Sequence, residues 1–281
     1  MHNKQWGLVG TFSLLLGLGL SQVTLAKAAT SDRITGIRTT EVKTFRTNSQ
    51  NGNGYHITVL PQQRVRLRPN LQLAQHQDTI WTRSEQAYIT RRGQKLLYYY
   101  VENAAGQSGW IWQGYLKPTS YHLAVPIVSQ LPELPTGCEI TAVDMMLQYA
   151  GAKVNKLQLA SEMPRSDDPN QGFVGEPDSE YGYGLYIYPR GLLSTVQRHV
   201  GSAVDLTGIS LTQLKAQILR RHPVVVWVAN IDGFATHALT VTGFDEDRIY
   251  FNDPWTGQAT HLSSGAFNIA WQGNQFRALS Y

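Results

Sequence analysis

The pattern of the chain changes near residue 120, and that change constrains the fold more than any single motif. Before it, short runs alternate apolar and basic residues, as in Val65-Arg66-Leu67-Arg68, and are separated by turn-rich stretches such as Asn103-Ala104-Ala105-Gly106. After it, apolar residues recur at helical spacing and alternate with β-branched runs. Charge changes at the same place. Residues 30–120 hold 12 Lys/Arg against 5 Asp/Glu, whereas residues 121–281 hold 10 against 15. Two units of opposite sign are therefore expected, divided near Lys117-Pro118-Thr119-Ser120. A length of 281 residues, 42% of them apolar, gives each unit material for its own core.

Residues 1–28 read as a signal peptide rather than fold. Lys4 precedes an apolar run from Leu8 to Leu20, and small residues follow up to Ala26-Lys27-Ala28, where cleavage is expected. A retained membrane anchor is the alternative. Gly10, Gly17 and Gly19 interrupt the run, and it falls short of the roughly 20 apolar residues that a span needs. No later stretch is long and apolar enough to cross a bilayer, so the expected protein is secreted, extracellular or wall-associated, with no transmembrane segment once the signal is removed.

Residues 29–55 are rich in Thr, Asn, Ser and Gly and are expected to be a linker or weakly ordered segment, a weakly ordered first strand being the alternative. Residues 56–118 predict a small all-β module. Its Tyr98–Lys117 stretch, with Gly109-Trp110 and the ending Gly114-Tyr115-Leu116-Lys117, resembles bacterial SH3-type cell-wall modules. That resemblance implies attachment to an anionic envelope polymer. Arg64, Arg66, Arg68, Arg91, Arg92 and Lys95 would face its phosphates and exposed aromatics its glycan or peptide; a solvated basic face is the alternative. Nucleic acid is not an expected partner, since no readout motif is present.

The chain contains a single cysteine, Cys138, so no internal disulfide can form. Ile140, Val143, Leu147 and Ala150 fall at helical spacing behind it, and Met145-Met146 widen the apolar stripe. Cys138 should thus occupy the first turn of a buried helix. Unpaired N–H groups and the helix dipole there favour a thiolate, and Gly137 would leave room for substrate backbone. A small buried thiol without chemistry is the alternative. Gln130 ends a strand-like segment, Val125–Gln130, across a Pro-rich turn. Its amide and the Cys138 N–H would form an oxyanion hole.

A base must come from elsewhere. Val224–Ala229, His237–Phe244 and Arg248–Asn252 read as strands, and His237 begins the second. The Asp245-Glu246-Asp247 turn would return the third strand so that Asp253 lies beside His237 and fixes its tautomer. Asn252 is the alternative orienter, because strand alternation lets only one of the two face His237. No closely paired His and no Cys cluster is present, so neither a metal nor a cofactor is expected. Glycosidase chemistry would need a second positioned acid, which the loop-bound Asp and Glu do not supply. Pro164–Tyr188 is long and aromatic and reads as a substrate-facing lid, with Tyr181 and Tyr183, together with Trp255, as substrate-binding candidates.

Val125–Gln130, Leu134–Glu139 with Met145-Met146, Pro223–Trp227, Thr236–Gly243 and Asn252–Trp255 resemble the bacterial papain-like cysteine peptidases related to double-glycine leader peptidases, in their secreted stand-alone branch. The resemblance spans about Val125 to Tyr281, within an expected papain-like domain of residues 121–281. It implies an α+β fold with Cys138, His237 and Asp253 catalytic and Gln130 in the oxyanion hole. The expected function is cleavage of an amide bond, in a peptide or a peptidoglycan crosslink, through a thioester. A cysteine acyltransferase and a catalytically inert wall-binding protein are the alternatives.

Overall fold

The computed structural model describes residues 32–179, 181 and 186–281, so the expected signal peptide lies outside the described residues. Two separate sheets fall on either side of residue 120. The first contains β1 (Arg33–Thr47), β2 (Asn53–Val59), β3 (Val65–Gln72), β4 (Ile80–Arg91), β5 (Gln94–Glu102), β6 (Ser108–Trp112) and β7 (Leu116–Pro118), in the order β3-β2-β6-β5-β4-β1-β7. Every pairing between them is antiparallel.

Of the two readings of residues 29–55, the structure takes the first strand and not the linker: the segment supplies β1, 15 residues long and paired with both β4 and β7. Its threonines are β-branched and suit a pleated strand as well as a loop. Ile34 and Phe45 anchor it by burial. Period-2 alternation explains the aromatic run in β5: Tyr98 joins one apolar cluster with Ile89 and Trp110, while Tyr99 joins the other with Trp81 and Ile111. Tyr98, Tyr99 and Trp110 therefore build core, and are not free to meet a glycan. Strand β3 lies at one edge of the sheet and carries Pro69 and the exposed Arg66 and Arg68, residues that discourage edge pairing with another chain.

The second unit is mixed α/β. It runs β8 (Tyr121–His122), α1 (Cys138–Tyr149), α2 (Lys156–Glu162), α3 (Pro189–Val200), β9 (Val204–Asp205), α4 (Leu211–Leu219), β10 (Val224–Val228), β11 (His237–Phe244), β12 (Arg248–Asp253), β13 (Gln258–Ser263), α5 (Ser264–Gly273) and β14 (Ala278–Ser280). The sheet order is β13-β12-β11-β10-β14-β9, with β8 against the end of β11. Every residue of β10 and β11 is buried, as expected of central strands covered on both faces. Helices α1, α4 and α5 pack against them.

Helix α1 is buried from Cys138 through Leu147, on all sides rather than along one stripe. Its start is set by a close approach: a Cβ on Gly137 would stand 2.8 Å from the Leu134 Cβ. The room that Gly137 provides is thus taken up by Leu134, not reserved for substrate. Val125–Gln130 also differs from expectation, because it joins no ladder. Pro126 has no N–H to offer, and the Val125 and Pro126 carbonyls accept from the Asn252 side chain instead, at 3.1 and 3.0 Å.

Candidate active site

The site forms where α1 begins against the start of β11. Helix and strand are tied together one turn further on, where the Thr240 hydroxyl donates to the Ala142 carbonyl at 2.8 Å. This buried bond fixes the height of Cys138 relative to His237. The backbone N–H of Ala238, the residue next to His237, is close enough to the Cys138 thiol to act against the rise in its pKa. Cys138 and His237 are therefore neighbours, although 99 positions separate them in the chain.

His237 is buried at 1% exposure, and its Nε2 lies 2.8 Å from the Asp253 Oδ1. The other ring nitrogen is left for proton exchange. Burial alone would raise the Asp253 carboxyl. Hydrogen bonds from His237, from Asp232 and from the Trp255 N–H override it and hold the group at about 2. The Thr256 hydroxyl adds a bond to Oδ2 at 3.0 Å. Asn252 points the other way, into the bonds that hold Val125 and Pro126, so strand alternation gives the two neighbours separate tasks.

Two further groups frame the imidazole. Phe234 stacks on the His237 ring at 5.3 Å, and Trp255 meets Phe234 edge-on at 5.0 Å. Trp255, the substrate-binding candidate, is half-buried and its buried side supports the residue stacked on His237. Asp232 brings Oδ2 to 3.9 Å from the His237 Nε2. Burial raises its pKa, and the adjoining Asp253 carboxylate raises it further. The sequence carried a sign of this neighbour: Asn230-Ile231-Asp232-Gly233 is a turn signature directly before β11, and Asn230, Asp232 and Gly233 all adopt positive φ. Donor atoms of Asp232, His237 and Asp253 lie within 4.8 Å of one another, the separation a metal would need, but they already hydrogen-bond among themselves.

Gln130 is buried, and its side-chain amide donates to the Pro135 carbonyl at 2.8 Å, three residues ahead of Cys138. A primary amide has a second N–H, and that one makes no hydrogen bond among the described residues. Lys156 positions the segment: its ammonium donates to the Ser129 and Gln130 carbonyls at 2.6 and 3.0 Å and pairs with Glu133 at 2.6 Å. Part of the expected lid also packs here. The Thr136 hydroxyl donates to the carbonyls of Glu176 and Ser179, both at 3.1 Å. Tyr181 is 91% exposed, and Tyr183 lies outside the described residues.

The thiol does not behave as its helix position suggested. Burial pushes its pKa well above the ordinary value and the Glu139 carboxylate pushes it further. The N–H groups of Ala238 and Glu139 oppose this and lose. The resting sulfur is a thiol that donates to the Glu139 Oε2 at 3.3 Å.

A mixed α/β unit with a cysteine heading its buried central helix, beside a histidine–carboxylate pair on the sheet, defines the cysteine-peptidase type of fold. The chain belongs to the Peptidase C39 like family, whose profile matches residues 122–279. It is 32% identical over 187 residues to the uncharacterized protein YvpB of Bacillus subtilis strain 168, an alignment covering 56% of this chain and 74% of YvpB. Among solved structures it is similar to that of a C39-like protein from Bacillus anthracis. The TM-score is 0.54 at 30% identity, over 58% of this chain and 96% of that one.

Proposed function

We propose that the chain is a secreted cysteine hydrolase that cleaves amide bonds of peptides or peptidoglycan crosslinks. The observation that carries the reading is the buried 2.8 Å bond between His237 and Asp253, one residue from the N–H of Ala238 that acts on the Cys138 thiol. In the reaction, the His237 nitrogen not held by Asp253 takes the thiol proton. The sulfur attacks the amide carbonyl while the second Gln130 N–H and the Cys138 N–H stabilise the oxyanion. The imidazolium then protonates the leaving amine, and water activated by the neutral imidazole releases the acid from the thioester. Asp253, ionised down to about pH 2, keeps the ring oriented and stabilises its charged form.

The β module serves this reading as an anchor to an anionic wall polymer. Arg64, Arg66, Arg68, Arg92 and Lys95 are exposed. Arg91 is already engaged, by Asp32 at 3.1 Å and by the ring of Tyr55, and belongs to the module's own structure.

The test is to incubate the protein and its Cys138→Ala variant with purified walls and with a peptide library, and to read the products by mass spectrometry. New termini with the parent and none with the variant support hydrolysis. Products that incorporate an added amine identify acyl transfer instead. Retention on walls at low salt, lost at high salt and in an Arg66→Glu/Arg68→Glu variant, supports the anchor.

A further inference from the structure

Glu139 has no part in the acyl-transfer scheme above, yet it is 1% exposed and is the hydrogen-bond acceptor of the nucleophile. A buried carboxylate normally has a cation beside it. Among the described residues no Lys, Arg or His forms an ion pair with Glu139. Its Oε2 accepts from the Cys138 thiol at 3.3 Å, and its own N–H and the N–H of Ile187 act against the effect of burial on its pKa. Ile187 is itself held, its carbonyl accepting from the Trp227 indole at 2.8 Å. The side chain is therefore fixed in place with its charge directed at the sulfur.

The ionisable surroundings are few. From β11 and β12 come His237 and Asp253, and from the turn before β11 comes Asp232, hydrogen-bonded to Asp253. From the segment before α3 comes Tyr188, whose hydroxyl feels the Glu139 charge, with the Arg277 guanidinium 3.7 Å over its ring. The one cation of the group is thus spent on an aromatic face.

We propose that Glu139 is a positioning residue that clamps the proton of Cys138: ionised, it holds the sulfur as a thiol, and once neutralised it lets that proton pass to His237. The step balances without a further reagent. The S–H bond breaks, an N–H bond forms on the ring nitrogen not engaged by Asp253, and the product is a thiolate–imidazolium pair with Glu139 keeping its own proton. Burial raises the Glu139 carboxyl to about 7, so the clamp closes as the pH rises through neutrality. Substrate that excludes water and crowds the carboxylate would open it in the same way.

The inference rests on Cys138 and His237 being the reacting pair, but its test needs no substrate. The rate of Cys138 alkylation by iodoacetamide is measured from pH 5 to 9 in the full chain and in Glu139→Gln, which keeps an acceptor oxygen for Ile187. At pH 8 the variant is expected to react about tenfold faster, the size of a like-charge shift of roughly one pKa unit, and near pH 5.5 the two should converge. The ratio of the two rates should thus titrate near pH 7. A ratio that stays flat across the range overturns the proposal. Should Glu139→Gln misfold, the parent alone decides: a profile with a break near pH 7 supports the clamp, and a single ordinary thiol titration sinks it. A titrating ratio in a protein that hydrolyses no amide would leave the clamp standing and remove the proposed hydrolase.

Discussion

Asp253 is the residue whose substitution separates charge from geometry. It accepts from the His237 Nε2 at 2.8 Å and from the Trp255 N–H at 2.9 Å, and an asparagine at 253 could still accept through its side-chain oxygen. What it loses is the charge that stabilises the imidazolium. We expect Asp253→Ala to lower kcat/KM by about 100-fold, roughly 2.7 kcal/mol, and Asp253→Asn to lose distinctly less, measured on whichever amide substrate the wall or library screen yields. Equal losses in both variants would mean that the charge matters more than the position of the acceptor. A second expectation concerns Phe234. Its ring stacks on the imidazole and carries Trp255 on its edge, so Phe234→Ala frees the His237 side chain to turn. The fall should appear in kcat, with KM little changed, because nothing that touches substrate is removed in the proposed scheme.

Between elements, the site depends on two polar ties. The Thr240–Ala142 bond sets α1 against β11, and Lys156 gathers the Ser129–Glu133 segment that carries Gln130. Replacing Lys156 by Met keeps its aliphatic stem but leaves the Ser129, Gln130 and Leu131 carbonyls and Glu133 without their donor. Hydrogen bonds to a charged group are worth about 1.5–3 kcal/mol, so the midpoint of denaturant unfolding should drop accordingly, with kcat falling as Gln130 loses its register. Neither tie was legible in the sequence. The strands and α1 were, because their apolar spacing is local, and so was the pairing of His237 with a carboxylate, because a short turn determines which residues share a sheet end. Lys156 and Thr240 act across 26 and 98 positions, and no local pattern announces such a partner. Strand β1 was legible only as one of two readings: a threonine-rich stretch satisfies the composition of a linker and the propensity of a strand equally. The environment of Glu139 was hidden too, since a carboxylate that follows the first residue of a helix ordinarily reads as a dipole partner facing water.

Over the molecule as a whole, buried acids should govern how stability responds to pH, and they pull in opposite directions. Burial raises Glu139 to about 7 and Asp144 to about 6, whereas an unfolded chain releases these protons near pH 4. Between roughly pH 4.5 and 7 the native state therefore holds protons that the unfolded state has lost, and stability falls as pH rises through that window. Asp253 works the other way. Its folded value of about 2 lies below the unfolded one, so its contribution is fully present above about pH 4 and is lost as the pH falls toward 2. The exposed pairs, such as Arg46 with Glu246 between the two units, add little at any pH. The maximum should then lie near pH 4.5–5, and thermal unfolding should drop by on the order of 2 kcal/mol, roughly 4–8 °C in Tm, between pH 5 and 8. Replacing Glu139 and Asp144 by Gln and Asn removes both raised carboxyls, so Tm in that double variant should be nearly level across the same range. A parent protein that gains stability from pH 5 to 8 would mean that neither acid is buried as the fold requires, and with them the packing of α1 against β11 would be in error.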